Sequence, residues 1–196
     1  MKPSSRVIVA KSLLSSFFLG FLVLTPLTHA ASVGELQLAG EGCQNTTGKV
    51  RLIVPSQSLY SVPLNLHVIK SEDVMIARKA CTMLLPIVLD SNEKLVVEDA
   101  SQKINVRLNA ETTAKAQLEV FLAGTHGEII KAETQAHGDS VKESLKLNQR
   151  GLVVESGCGE QVIVRANESI AIIGTGSARA ISDNLRLKLK IVKCNE

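Results

Sequence analysis

Alternation of apolar and polar residues with period two runs through most of this chain, and no other feature restricts the fold as tightly. In LRLKLKI, Leu185, Leu187, Leu189 and Ile191 point one way and Arg186, Lys188 and Lys190 the other, the pattern of a strand with one buried face. VPLNLHV repeats it, with Val62, Leu64, Leu66 and Val68 inward and Pro63, Asn65 and His67 outward. KVRLIV (49–54) and INVRL (104–108) do so more briefly. CTMLLPIVL (81–89) is apolar on both faces, as a central strand would be, and Pro86 marks an edge or a bulge within it. QVIVRA and SIAIIG read as two strands, with Asn167 and Glu168 in a tight turn between them. Residues 109–124 and 139–150 fit a capped helix and a strand equally well. The sum is an all-β chain, with turn signals spaced as in an antiparallel β-sandwich.

The first thirty residues do not belong to that pattern. Lys2, Arg6 and Lys11 precede an apolar run from Leu13 to Leu24, Pro26 breaks it, and small residues lead to Ala30. This is the layout of a secretory signal peptide (1–30), with cleavage expected after Ala30. The run falls short of the roughly 20 residues of a spanning helix, so no stable membrane span is expected in the mature chain. Residues 31–196 then form one domain, secreted or periplasmic.

Removing the signal changes the electrostatics. Three of the 22 Lys and Arg residues lie within it, which leaves 19 against 19 Asp and Glu. A neutral mature chain gives no global reason to expect a nucleic-acid partner. Its only aromatics are Tyr60 and Phe121, too few for a base- or sugar-stacking platform.

Cys43, Cys81, Cys158 and Cys194 all lie in the mature chain, without a C-x-x-C pair or a nearby histidine. That spacing disfavours zinc and supplies no base for a cysteine nucleophile. An even count in an exported chain favours disulfides, and three pairings are open. Neither a metal nor a cofactor is expected. IIGTGSARA lacks the third glycine, the helix and the βαβ context of a dinucleotide loop and reads as a glycine-rich turn. SED (71–73) and VED (97–99) read as solvated turns. His126 and His137 read as exposed loop residues, with a weak metal site between them as the sharper alternative. Arg186, Lys188 and Lys190 read as the solvated face of an edge strand, or as a patch for anionic glycans, lipid headgroups or an acidic protein. Asn45 and Asn167 begin N-x-S/T sequons.

AGEGC, RKACTMLLPI, ESGCGEQVIVRANESI and LRLKLKIVKC, in that order, resemble the four landmarks of a secreted family called domain of unknown function 4360. The chain departs from that pattern at Gln44 and Gly157, where the family tends to carry proline. It departs again at Leu118, Val120 and Leu122 around Phe121, where the family is richer in aromatics. The resemblance implies a compact, mostly β, exported domain, favours strand for both ambiguous stretches, and implies no activity. With it, order along the chain suggests the pairs Cys43–Cys81 and Cys158–Cys194. The functional expectation is a non-catalytic domain that binds a protein or an envelope or extracellular component, or serves a structural role. The alternatives are a hydrolase-like enzyme with a dispersed site and a small-molecule carrier with an apolar interior.

Overall fold

A computed structural model describes residues 32–43, 49–54, 58–159 and 161–194. The predicted signal peptide, Gln44 and Asn45 lie outside them. Apart from one 3-10 turn at Glu41–Cys43, the regular elements are all strands, in two antiparallel sheets. In the first sheet, β1 (Ser32–Val33) and β2 (Gln37–Ala39) share one side of β6 (Ile76–Val88). Next come β12 (Gln161–Gly174), β8 (Thr112–Leu122) and β9 (Ile129–Ala136). The second sheet is built on β7 (Glu93–Leu108). On one side of β7 lie β14 (Leu185–Lys193) and β13 (Ala178–Ser182), end to end. Beyond β14 come β4 (Leu59–Val62) and β3 (Arg51–Val54), and beyond β13 comes β5 (His67–Lys70). On the other side of β7 lie β10 (Val141–Gln149) and β11 (Val154–Glu155). Both stretches that fit two periods are therefore strands, β8 and β10.

β7 changes phase along its length. Leu95 and Val97 point into the sandwich, then Ala100, Gln102, Ile104, Val106 and Leu108 do. The shift falls where the pairing with β14 skips one residue, so that Lys188 faces Asp99 and Leu189 faces Val97. This is a β-bulge at Glu98, and it re-aims every later side chain. VED is accordingly part of a strand and not a turn.

The expected strand over VPLNLHV is interrupted. Pro63 has no N–H for a ladder, so the chain leaves β4 and re-enters the sheet as β5, opposite the junction of β13 and β14. The inward residues are as expected, with Val62, Leu64, Leu66 and Val68 all buried, but Pro63, expected outward, is buried as well where the chain leaves the ladder. Such a break strands backbone carbonyls in the core, where an unpaired polar group is costly. Gln102 meets this need: its Nε2 donates to the carbonyls of Leu64 at 2.7 Å and Asp183 at 3.1 Å. The Ser182 hydroxyl accepts from the Leu66 amide at 2.7 Å.

The expected turn at Asn167–Glu168 does not exist. β12 runs unbroken, with Val162, Val164, Ala166, Glu168, Ile170 and Ile172 all buried. A carboxylate at an inward position resembles a turn in sequence. Here it crosses the core and accepts from Gln102 Nε2 at 3.0 Å, so one polar contact joins the two sheets.

Pro86 lies inside β6, at the gap between β1 and β2, where the Gly34 amide donates to its carbonyl at 2.8 Å. Its missing N–H faces a place with no strand partner. Leu185, Leu187 and Leu189 are buried as the alternation requires, whereas Ile191 emerges at the core's margin with 41% exposure. Each fully buried Leu, Ile or Val side chain contributes roughly 1.5–3 kcal/mol.

Disulfides join Cys43 to Cys81 and Cys158 to Cys194. The first fastens the turn after β2 onto β6. The second clasps the start of β7: the Gly159 amide donates to the Glu93 carbonyl on one side, and the Cys194 amide to the Asn92 carbonyl on the other.

Candidate anion-binding face

The outward positions of the second sheet carry an excess of cations. Past the bulge, β7 presents Lys103, Asn105 and Arg107 to solvent, and β10 presents Lys142, Ser144, Lys146 and Asn148. Arg107 lies directly opposite Lys142 on one side and Arg179 of β13 on the other. Lys103 lies opposite Lys146, and Arg186 of β14 opposite Ser101. Six exposed cations thus share one face: Lys103, Arg107, Lys142, Lys146, Arg179 and Arg186. None of them forms an ion pair among the described residues.

The neutral residues among them are tied to one another. Ser144 Oγ donates to Asn105 Oδ1 at 2.9 Å, and Asn105 Nδ2 reaches Asp183 Oδ1 at 3.4 Å. A depression of about 410 Å³ is lined by Asn105, Arg107, Lys142, Glu143, Ser144, Arg179 and Ile181, three cations against one carboxylate. Like charges held at strand spacing, roughly 4.8 Å apart, repel in the free protein and favour an anion that neutralises them.

The basic row read from β14 is only partly available. β14 is not an edge strand, since β4 and β7 flank it. Lys188 Nζ lies 2.7 Å from Glu98, and Lys190 also pairs with Glu98. Hydrogen bonds from Lys188 and Lys190 hold the Glu98 carboxyl below its usual range. Arg186 alone of that row joins the free cations. The other five were missed in the sequence because they sit on β7, β10 and β13, far apart in the chain. Their signal was the outward half of the same alternation, which becomes a surface only once register is known.

His126 and His137 lie at opposite ends of β9. Eight strand residues extend roughly 25 Å at about 3.3 Å each, so the two histidines cannot share a metal ion. No group of three or more metal-ligating side chains occurs among the described residues. Asp73 sits in the β5–β6 turn, where a hydrogen bond with Ser71 lowers its pKa. Asn167 lies on the outer face of β12, accepting from Thr82 Oγ1 at 3.0 Å and donating to Glu119 at 3.2 Å.

Glu168 is the most perturbed acid. Burial pushes its pKa up to about 8, against the opposing pull of hydrogen bonds with Ser182 and Gln102. A raised carboxyl can mark a general acid, but this one is 1% exposed and sealed between the sheets. Glu168 Oε1 and Gln102 Oε1 are both acceptors without a donor, and a proton on the carboxyl turns one of the two into a donor. The neutral form therefore suits the cluster.

The glycine-rich turn joins β12 to β13. Gly174 has φ 131°, and a Cβ there would fall 1.9 Å from the Glu111 carbonyl oxygen. Close approach of two backbones, not phosphate binding, explains the glycine.

The family described as "Domain of unknown function (DUF4360)" matches residues 29–192. No curated protein matches the chain. Among solved structures, TmCBM27, a carbohydrate-binding module studied for mannan recognition, is similar at 10% identity and TM-score 0.38, covering 83% of this chain and 99% of its own. TmCBM61 in complex with β-1,4-galactotriose is similar at 13% identity and TM-score 0.29, covering 81% and 88%. The family 11 carbohydrate-binding module from Clostridium thermocellum, in complex with a mixed-linked tetrasaccharide, follows at 12% identity and TM-score 0.28, covering 85% and 89%. At such scores the likeness carries no argument about what this chain binds.

Proposed function

The chain belongs to the family of domains of unknown function 4360, whose description names no activity, and from its own surface we propose that it is an exported, non-catalytic domain that binds an anionic envelope or extracellular component. The observation that carries this reading is the set of six exposed cations, without ion pairs among the described residues, on one sheet face of a chain whose residues 31–196 carry 19 Lys and Arg against 19 Asp and Glu. Charge here is segregated rather than abundant, and segregation creates a local field that net charge conceals. Two disulfides agree with an oxidising compartment. Among the described residues, no helix is long and apolar enough to cross a membrane.

The test compares two neutralised variants on a column of immobilised anionic polymer. Arg107→Gln/Lys142→Gln/Arg179→Gln should elute at markedly lower salt than the parent. Glu98→Gln/Lys188→Gln should shift little, because it removes one cation together with its paired carboxylate and leaves the net charge unchanged. Equal shifts in the two variants, or no retention of the parent, would contradict the reading. Turnover of any substrate by the purified domain would contradict its non-catalytic part.

A further inference from the structure

Resting on that anion-binding reading, we infer that the face is a two-station groove for a linear acidic polysaccharide, with carboxylates as the anionic groups. A second depression, of about 190 Å³, follows the first along the same pair of strands. It is lined by Ser101, Lys103, Lys146, Asn148, Asp183, Asn184 and Arg186. Each station therefore has three cations against one carboxylate, Glu143 in the first and Asp183 in the second. The first has Arg107, Lys142 and Arg179, and the second has Lys103, Lys146 and Arg186. On both β7 and β10 the step from one to the other is four residues, from Arg107 to Lys103 and from Lys142 to Lys146, which is roughly 13 Å of strand.

Two equivalent stations in line select a chain with negative groups at intervals; a lone anion needs only one. Both stations include arginine, whose planar fork pairs with carboxylate through two parallel hydrogen bonds. Between the cations stand the amide of Asn105 and the hydroxyl of Ser144, and beside them the amide of Asn148 and the hydroxyl of Ser101, which match a backbone rich in hydroxyl groups. Neither depression has an aromatic lining residue, so nothing there stacks on a nucleic-acid base. The cations wall recesses, whereas a lipid headgroup plane would meet only the rims.

The experiment is calorimetric titration of the intact, oxidised protein with galacturonate oligomers of increasing length. Parallel arms use dextran sulfate, polyphosphate, single-stranded DNA and anionic lipid vesicles. Affinity should climb by roughly 100-fold once an oligomer can reach both stations, then level off, as expected when a second contact becomes intramolecular. Lys103→Gln/Lys146→Gln should remove that climb and leave the affinity of the shortest oligomer almost unchanged; thermal unfolding of the variant checks that it is folded. Length-independent binding would overturn the two-station groove, as would tighter binding of DNA or vesicles than of the long oligomers. Preference for dextran sulfate at equal length would replace carboxylate by sulfate and overturn the assigned class. If vesicles or polyphosphate bind through these cations and galacturonates do not, the polysaccharide inference fails while the anion-binding reading stands. If no polyanion binds, both fail.

Discussion

Replacing Glu168 by glutamine should abolish one component of the pH dependence of stability. Burial holds the folded-state pKa at about 8, against an ordinary value of 4.5. Between those two values the folded protein keeps a proton that the unfolded chain releases. Stability from this group is therefore fully present below about pH 4.5 and falls as pH rises, levelling off above about pH 8. At 1.36 kcal/mol per pH unit the whole interval amounts to ~5 kcal/mol, an upper figure. That is a large part of the ~5–15 kcal/mol that holds a typical domain together. Glutamine has no charge to suppress, and its amide can supply the donor that the neutral carboxyl supplies. Urea unfolding at a series of pH values between 5 and 9 would measure the effect. The stability of the parent minus that of Glu168→Gln should decline by roughly 1.4 kcal/mol per pH unit up to about pH 8. Asp73, Glu93 and Glu98 have lowered pKa values. Their stabilisation is lost as pH falls, and it cancels in the difference because both proteins carry them. Parallel profiles, or a parent that gains on the variant as pH rises, would refute a neutral carboxyl in the core.

Gly174→Ala should cost about 1–3 kcal/mol, since the added Cβ meets the Glu111 carbonyl at a backbone angle that L-residues rarely adopt. A thermal melt should then show Tm lower by several degrees. Cys158→Ser/Cys194→Ser opens a loop with a sequence separation of 36 and should lose up to ~4 kcal/mol in a denaturant titration. Its first hydrogen-exchange losses should lie at the clasped end of β7, around Asn92 to Leu95.

Strand content was legible in the sequence wherever alternation was regular. Leu185 to Leu189 and Ile104 to Leu108 all face as their pattern required, and Val62 to Val68 do so except for the buried Pro63. Reading faltered where the backbone departs from strict period two. The bulge at Glu98 switches the inward set of β7 from odd to even positions, so one short pattern, INVRL, and a supposed turn at VED concealed one strand of 16 residues. Glu168 stands at an inward position for the sake of a broken strand elsewhere, and a local reading therefore placed a turn there. The anion-binding face was hidden for a third reason. Arg186 was visible in a single run, but its partners Lys103 and Lys146 come from strands whose adjacency is a property of the register. Conversely, Lys188 and Lys190 stood out in the sequence, and the one carboxylate that pairs with both, Glu98, comes from a strand far earlier in the chain.

The two disulfides close rings that each traverse both layers. One leaves the first sheet at Cys43, runs through β3, β4 and β5 of the second, and returns at Cys81. The other leaves the second sheet at Cys158, crosses the first as β12, and comes back through β13 and β14 to Cys194. A protease that cuts once inside either ring leaves a single covalent molecule. A cut between the rings, at any of the turns from β6–β7 to β10–β11, divides the chain into two halves with one ring apiece, and both halves still share both sheets. In a protease-rich medium, the survival of such a nicked protein depends on core packing and the strand ladders, and five turns decide how often that dependence is put to use.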